Sequence, residues 1–439
     1  MKLKNKGNPW ALLPFVIFLA LFIGVGVYTR DFTKMPAIIA VLIASMLALL
    51  MNRQISLSDK MKLFYRGAGH PNIIMMVLIF LLSGAFTAMA KGMGAVESTV
   101  NLALSVLPPN LLMVGLFVIA CFISLSMGTS MGTIVALAPI GVGLSQQADI
   151  SLALSMAVVV GGAMFGDNLS FISDTTIAAV STQNIRMKDK FKVNFLTVLP
   201  AAVVTAVILY FISGGSVANV ASHPFSLIET LPYIAVLVTA LVGVNVFVVL
   251  VLGIVCAGLI GFWEGNYTWL TLVQKAEEGI TGMQSLSILV LLIGGMVELI
   301  RSYGGIQFLL DFLTRRTRSR KGAQFSIAGL ISVTNLCVAN NTISIIIAGP
   351  LAREISTRFG IDSRKTASLL DIFSCSVQGL IPYGPQILLA ASVASISPVS
   401  ILSYSYYPIL IAVCAVLSIL FRFPRLRAVP AKQEVARAN

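Results

Sequence analysis

The chain has 439 residues, 57% of them hydrophobic and only 11% charged, with a mean hydropathy of +0.93, whereas a soluble domain carries roughly 25% charge. So oily a composition excludes a soluble globular domain and defines a polytopic membrane protein. The net charge of +13 does not mark a nucleic-acid surface, because the basic residues gather in short stretches between apolar runs, the pattern that orients a membrane protein.

Lipid offers the backbone no hydrogen-bond partner, so the spans must be helices or a closed barrel, and the continuous apolar runs lack a barrel's alternation. An all-helical fold is expected. In chain order the runs fall at residues 10–28, 36–51, 72–90, 111–146, 152–182 and 193–213. After a polar, Gly-rich junction they resume at 230–243, 246–263, 283–300, 324–357, 366–396 and 402–421. The first run follows Met1-Lys2-Leu3-Lys4-Asn5-Lys6. It is too long for the apolar core of a signal peptide and no small-x-small cleavage site follows, so it reads as an uncleaved first span.

The two series are one series repeated. An offset of 211 residues sets Gly84 on Gly295, Gly94 on Gly305, Leu125 on Leu336, Gly128-Thr129-Ser130 on Ala339-Asn340-Asn341, Pro139 on Pro350 and Gly166-Asp167 on Val377-Gln378. Residues 1–220 therefore form a first unit, with a hairpin at 111–146 and a broken helix at 152–182. Residues 221–425 form a second, with a hairpin at 324–357 and a broken helix at 366–396, followed by a cytoplasmic tail, 426–439.

The run from Leu111 to Gln146 is rich in Ser, Thr and Gly between Ser124 and Gly132. Its two arms, roughly 14 to 17 residues each, are short for crossing a ~30 Å hydrocarbon core, so a re-entrant hairpin is expected. With the amino terminus inside, the hairpin places Arg53, Lys60, Lys62, Arg66, Arg186, Lys188, Lys190 and Lys192 in the cytoplasm. In the second unit Arg315, Arg316, Arg318, Arg320, Lys321, Arg353, Arg358, Arg364, Lys365, Arg422, Arg425 and Arg427 join them, while loops carrying Asp149, Glu264, Glu277 and Glu278 fall outside. About five crossings plus a hairpin per unit is an odd number, so the second unit is inverted. Inverted repeats with discontinuous helices place a binding site near the midplane where they meet.

The polar residues concentrate at those breaks. The first hairpin tip offers Ser126, Thr129, Ser130 and Thr133, and the first broken helix Asp167, Asn168, Ser170, Ser173, Asp174 and Thr175. Ionisable residues inside membrane segments are expensive and mark functional sites. Hard oxygen ligands of this kind suit an alkali cation or a proton-exchanging carboxylate. Two carboxylates near each other and out of water do not ionise together, so a bound proton can be exchanged for a cation. The bland reading of Asp174 is a helix N-cap. The second unit offers Asn335, Asn340, Asn341, Thr342, Ser344, Gln378, Tyr383 and Gln386, with no carboxylate matching Asp167 or Asp174. Asp371 and Glu298 are either ligands or buried partners for Arg353, Lys365 or Arg301. The cysteines, Cys121, Cys256, Cys337, Cys375 and Cys414, read as buried small hydrophobes. His70 and His223 are loop residues too far apart in sequence to suggest a zinc site.

The stretch Gly166-Asp167-Asn168-Leu169-Ser170-Phe171-Ile172-Ser173-Asp174-Thr175-Thr176 resembles the NhaC family of bacterial sodium/proton antiporters, whose pattern has Gly-Asp, a Ser-Pro pair and then Ser-Asp-Thr-Thr. Here Phe171 stands where that pattern has proline. The tip Ser126-Met127-Gly128-Thr129-Ser130 also fits, and the layout looks like the wider ion transporter superfamily. The resemblance implies Na+/H+ exchange in the bacterial inner membrane, with both termini cytoplasmic. Asp167, Asn168, Ser170, Asp174, Thr175, Thr129 and Ser130 would serve the cation and proton, and Asp167 and Asp174 would ligate Na+. The alternative is cation-coupled transport of an amino acid or small carboxylate, held by Asn340, Asn341, Thr342, Gln378, Tyr383 and Gln386. No cofactor, nucleophile motif or enzymatic activity is expected. The expected partners are Na+, H+, that organic solute under the alternative, the lipid bilayer and a second copy of the chain in a homodimer; nucleic acid is not one of them.

Overall fold

A computed structural model describes residues 7–25, 28, 35–106, 108–170, 173–213, 225–314, 319–424 and 426. Every regular element among these residues is helical. The chain opens on a 3-10 turn, Pro9–Leu12, then α1 (Leu13–Leu19) and a π-helical turn, Ala20–Gly24. The rest of the first half is α2 (Ala37–Leu50), α3 (Leu57–Ala68), α4 (Pro71–Gly92), α5 (Ala95–Val106), α6 (Leu112–Met127), α7 (Ser130–Gln147), α8 (Leu152–Leu169), α9 (Asp174–Gln183) and α10 (Met187–Ser213). The second half is α11 (Leu227–Leu241), α12 (Val246–Trp263), α13 (Trp269–Gly282), α14 (Gln284–Ser302), α15 (Gly305–Thr314), α16 (Arg320–Val338), α17 (Asn341–Arg358), α18 (Ser363–Gln378), α19 (Pro385–Ala394), α20 (Pro398–Leu402) and α21 (Tyr406–Leu420). By length and composition Pro71–Gly92, Leu152–Gln183, Met187–Ser213, Val246–Trp263 and Trp269–Ser302 can cross a membrane. The chain is an all-α polytopic membrane protein.

The offset of 211 residues carries the bounds of α7 onto those of α17, and α9 onto α19, end to end. Each half holds a helical hairpin, α6–α7 or α16–α17, and a broken helix, α8–α9 or α18–α19. The hairpins turn in the same way. α6 ends at Gly128 (φ 68°) and α16 at Ala339 (φ 51°), both left-handed. Their N–H groups close the last turns on the carbonyls of Ser124 (2.9 Å) and Asn335 (2.7 Å). Each tip is pinned to its own broken helix at matching places: the Ser124 hydroxyl donates to the Ala163 carbonyl (2.6 Å), and the Asn335 amide to that of Ser374 (2.7 Å).

The halves interlock. α3 packs on α14 of the other half and α13 on α4, while α9 packs on hairpin arm α17 and α19 on arm α7. Glycines allow two of these crossings: a Cβ on Gly84 would collide with the Gly279 carbonyl, and one on Gly67 with the Gly294 carbonyl. α3 and α13 correct the expectation of loops at 53–66 and 264–278. Both are capped amphipathic helices, by Ser56 and by the Thr268/Thr271 box, whose polar faces lower the average that an apolar-run search responds to. α5 and α15 lie outside the expected runs likewise, whereas the last expected run, 402–421, is met by α21.

The basic residues need a second correction. Lys60, Lys190 and Lys365, expected in cytoplasmic loops, lie in helices with only 5%, 1% and 6% of their surface exposed. Lys60 Nζ caps the Leu49 carbonyl at 2.9 Å, and Lys365 bonds the Ser418 hydroxyl and the Phe423 carbonyl. Of the cysteines, Cys256 and Cys414 are partly exposed rather than buried. His70 occupies the N-cap position of α4, its Nδ1 accepting the Asn72 N–H at 3.3 Å. Met1 to Lys6, Phe171, Ile172, His223, Arg315, Arg316, Arg318, Arg425, and the tail from Arg427 onward lie outside the described residues.

Forcing the helices apart at the glycine crossing should cost about 1–3 kcal/mol or more. Gly84→Leu and Gly279→Leu are therefore expected to lower the thermal midpoint of the detergent-solubilised protein, whereas Gly282→Leu, where an added Cβ meets nothing within 4 Å, should not.

Candidate functional site

Two helix breaks meet a hairpin tip inside the bundle. α8 ends at Leu169, Ser170 is extended, and α9 restarts at Asp174 after Ser173 in the N-cap position. Asp167 lies in the last turn of α8, 3% exposed. Its Oδ1 accepts the N–H of Ser130, the first residue of hairpin arm α7, at 3.1 Å, and the Ser173 hydroxyl at 3.5 Å. Its carbonyl accepts the hydroxyls of Thr175 (3.0 Å) and Thr176 (3.4 Å), which fold the restart of α9 back over the end of α8.

Ser130 joins this cluster to the second broken helix. Its hydroxyl accepts Gln386 Nε2 (3.2 Å), and Gln386 Oε1 accepts Gln378 Nε2 (2.8 Å). Gln378, at the offset position of Asp167, also donates to the Ala339 carbonyl at the other hairpin tip (3.1 Å). The acid of one half and the amide of the other are thereby joined through Ser130 and Gln386 by three hydrogen bonds.

A buried ion pair lies beside Asp167. Lys190 of α10, 1% exposed, places Nζ 2.8 Å from Asp371 Oδ2 of α18, which is 0% exposed. The same Nζ donates to the Asn168 carbonyl (3.0 Å) and Thr176 Oγ1 (2.6 Å). Asn194, one turn along α10, donates to Asp371 Oδ2 (2.7 Å) and the Asn168 carbonyl (2.9 Å). The C-terminal carbonyls of a helix lack intrahelical partners and carry the negative end of its dipole. The end of α8 is satisfied here by an ammonium and an amide.

The structure brings Asp167, Asn168, Ser170, Thr175 and Ser130 together, and Thr129 adjoins them at the tip. Asp174 sits apart as the first helical residue of α9, its side chain exposed. Ser173, not Asp174, holds the N-cap position, because the chain is still extended there; a carboxylate in the first turn still complements the helix dipole. In the second half Asn340 caps α17 by accepting the Ile343 N–H (2.9 Å), and Asn341 Oδ1 accepts the Thr342 N–H (3.0 Å). Tyr383 donates to the Leu336 carbonyl (2.7 Å) with its ring edge-on to Phe18. Asp371 pairs with Lys190 rather than Arg353, Lys365 or Arg301. Glu298 pairs with Arg66 of α3 and, at 3.8 Å, with Arg301.

Lys190 and Asn194 were not anticipated as site residues. A signal exists: Lys190, Asn194, Thr197 and Thr205 recur at helical spacing on the buried side of a helix whose other faces are apolar beyond Lys192. The Lys188 and Lys192 neighbours concealed it within an apparent basic loop.

Interlocked broken helices around buried ionisable groups define a transporter of the discontinuous-helix class. The chain belongs to the Na+/H+ antiporter family, whose model matches twice, over residues 8–214 and 216–424. It is similar to the Na+/H+ antiporter NhaC of Alkalihalophilus pseudofirmus, 25% identical over 75% of this chain and 78% of that protein. It is equally similar to the Na+/H+ antiporter NhaC of Bacillus subtilis, 25% identical over 80% of this chain and 83% of the relative. The malate-2H+/Na+-lactate antiporter of Bacillus subtilis is 22% identical over 90% and 91%.

Removing one partner of a buried ion pair leaves an uncompensated charge, at about 3–5 kcal/mol. Asp371→Ala, which strands the Lys190 ammonium, should lower the thermal midpoint markedly, whereas Asp174→Ala, at an exposed carboxylate, should leave it nearly unchanged.

Proposed function

We propose that the chain exchanges Na+ for H+ across the bacterial cytoplasmic membrane, with Asp167 as the carboxylate that binds either ion. The observation that carries this is the setting of Asp167. It is buried where both halves meet, held by an amide N–H and a hydroxyl, while the buried Lys190 ammonium is engaged by Asp371. Among the described residues no ion pair reaches Asp167. A carboxylate so placed is neutralised either by a proton or by a cation, and one site that accepts both in turn is an antiporter. Ser130, Ser170, Asn168, Thr175 and Thr129 complete or shape that site, and Asp174 lies on the approach to it. Na+ and H+ are cargo, and no resident cofactor is required. Membership of the Na+/H+ antiporter family supports the exchange.

In this proposal the halves, 1–220 and 221–425, lie inverted in the bilayer with both termini inside, each hairpin re-entrant. Arm α6, 16 residues long, is short for a full crossing. In a background lacking the native cysteines, an impermeant thiol reagent should label Glu264→Cys in intact cells and Arg186→Cys only in everted vesicles. The opposite pattern would refute the orientation.

A second reading, cation-coupled exchange of an amino acid or small carboxylate, is favoured by the malate-2H+/Na+-lactate relative. Against it, Gln386, Tyr383 and the amide NH2 of Gln378 are already bonded to the protein, which leaves only the buried Gln378 Oε1 of these three side chains without a partner among the described residues. A thermal-shift screen of organic acids and amino acids with and without Na+ separates the readings, since a true substrate stabilises by mass action.

In everted vesicles carrying a pH dye, Na+ should evoke proton flux with the wild-type protein and none above the protein-free level with Asp167→Asn. Asp174→Asn should retain flux with a shifted Na+ dependence. Wild-type-like flux in Asp167→Asn would overturn the assignment of Asp167.

A further inference from the structure

The Lys190 ammonium is surrounded as a bound metal ion would be. Three oxygens of different origin converge on Nζ: the Asp371 carboxylate (2.8 Å), the Asn168 carbonyl at the end of α8 (3.0 Å) and the Thr176 hydroxyl in the first turn of α9 (2.6 Å). They come from both halves of the chain, and the Asn194 amide binds two of the three, holding the oxygens in place independently of Lys190. The carbonyls at the ends of broken helices coordinate monovalent cations in discontinuous-helix transporters, and here a carboxylate and a hydroxyl join one such carbonyl around a single positive charge. The other Asp371 oxygen, Oδ1, is buried and has no hydrogen-bond partner within 3.5 Å, so the acid retains a further acceptor.

We propose that Lys190 is a tethered cation. Its ammonium permanently fills a second monovalent-cation site, one residue along the chain from Asp167, and so limits the protein to the single exchangeable site. The side chain reaches this position from α10, so the charge cannot leave with the cargo. Withdrawing it, with Asp371, Asn168, Thr176 and Asn194 left in place, exposes an oxygen cradle of net charge −1 that Na+ can enter. The residues at the offset positions of Lys190 and Asp371 are Ile401 and Val160, both apolar, so the arrangement occurs once and is not a relic of the repeat.

The test is the number of Na+ ions bound per chain, measured with 22Na+ on the purified full-length protein in detergent, at fixed ionic strength with choline as the replacement cation. Lys190→Ala is expected to bind one ion more than wild type and to gain a larger Na+-specific rise in thermal midpoint. Lys190→Ala combined with Asp371→Asn is expected to return to the wild-type number. An unchanged ion count and unchanged Na+ stabilisation in Lys190→Ala would overturn the proposal. Should Lys190→Ala not be recovered folded, Lys190→Gln, which removes the charge but keeps a donor, is measured in the same way. Failure of both variants to accumulate in Na+-rich medium would also overturn it, because an opened site would refill. The wild-type count reports on Asp167, and the difference between variants reports on Lys190 alone, so the two assignments fail separately.

Discussion

A helix broken inside a bilayer leaves peptide groups that lipid cannot satisfy, and that debt shapes the centre of this protein. The free carbonyl of Asn168 at the end of α8 draws in Lys190 and Asn194. That of Asp167 takes the hydroxyls of Thr175 and Thr176, which set the direction in which α9 resumes. The amide of Ser130, orphaned at the start of α7, finds the Asp167 carboxylate. Across the interface the Ala339 carbonyl takes Gln378. The polar residues of the breaks are thus first a solution to a backbone problem. The proposed chemistry uses the remainder, chiefly the carboxylate oxygens of Asp167.

The repeat supplies the frame and divergence supplies the function. Hairpin turns, their pins to the broken helices and the exchange of α9 and α19 between halves recur at one offset. The charged residues do not. Where one half has Asp167 the other has Gln378, whose amide NH2 is engaged by the Gln386 side-chain oxygen and the Ala339 carbonyl. A neutral amide holds its helix end together without needing an ion. The acid at the same place requires a proton or a cation, and under the proposed exchange the first half handles the ion while the second is its structural complement.

Much of this was legible in the residues. Continuous apolar runs, their recurrence at 211 residues and the Ser/Thr/Gly-rich interruptions located both hairpins and both broken helices, and clustering of acids and hydroxyls singled out Asp167. What was not legible depended on which face of a helix points inward. Lys190 reads as one of four basic residues in a loop until α10 is seen to begin at Met187 and to turn Lys190 toward Asp371. Asp371 likewise reads as a candidate partner for several arginines and lysines, because sequence distance says nothing of the packing of α10 on α18. The amphipathic helices α3 and α13 were hidden because their polar faces cancel their apolar ones in an average, and their place in the fold is set by glycine crossings with the opposite half.

The central claim is that Na+ and H+ compete for one buried carboxylate, Asp167. The most direct measurement is the apparent Na+ dissociation constant of the purified protein across a range of pH at constant ionic strength. Competition predicts that Na+ binding weakens about tenfold for each unit of pH lowered on the acidic side of the titration, because the ligand must be deprotonated to bind the ion. A Na+ affinity independent of pH over the same range would contradict it.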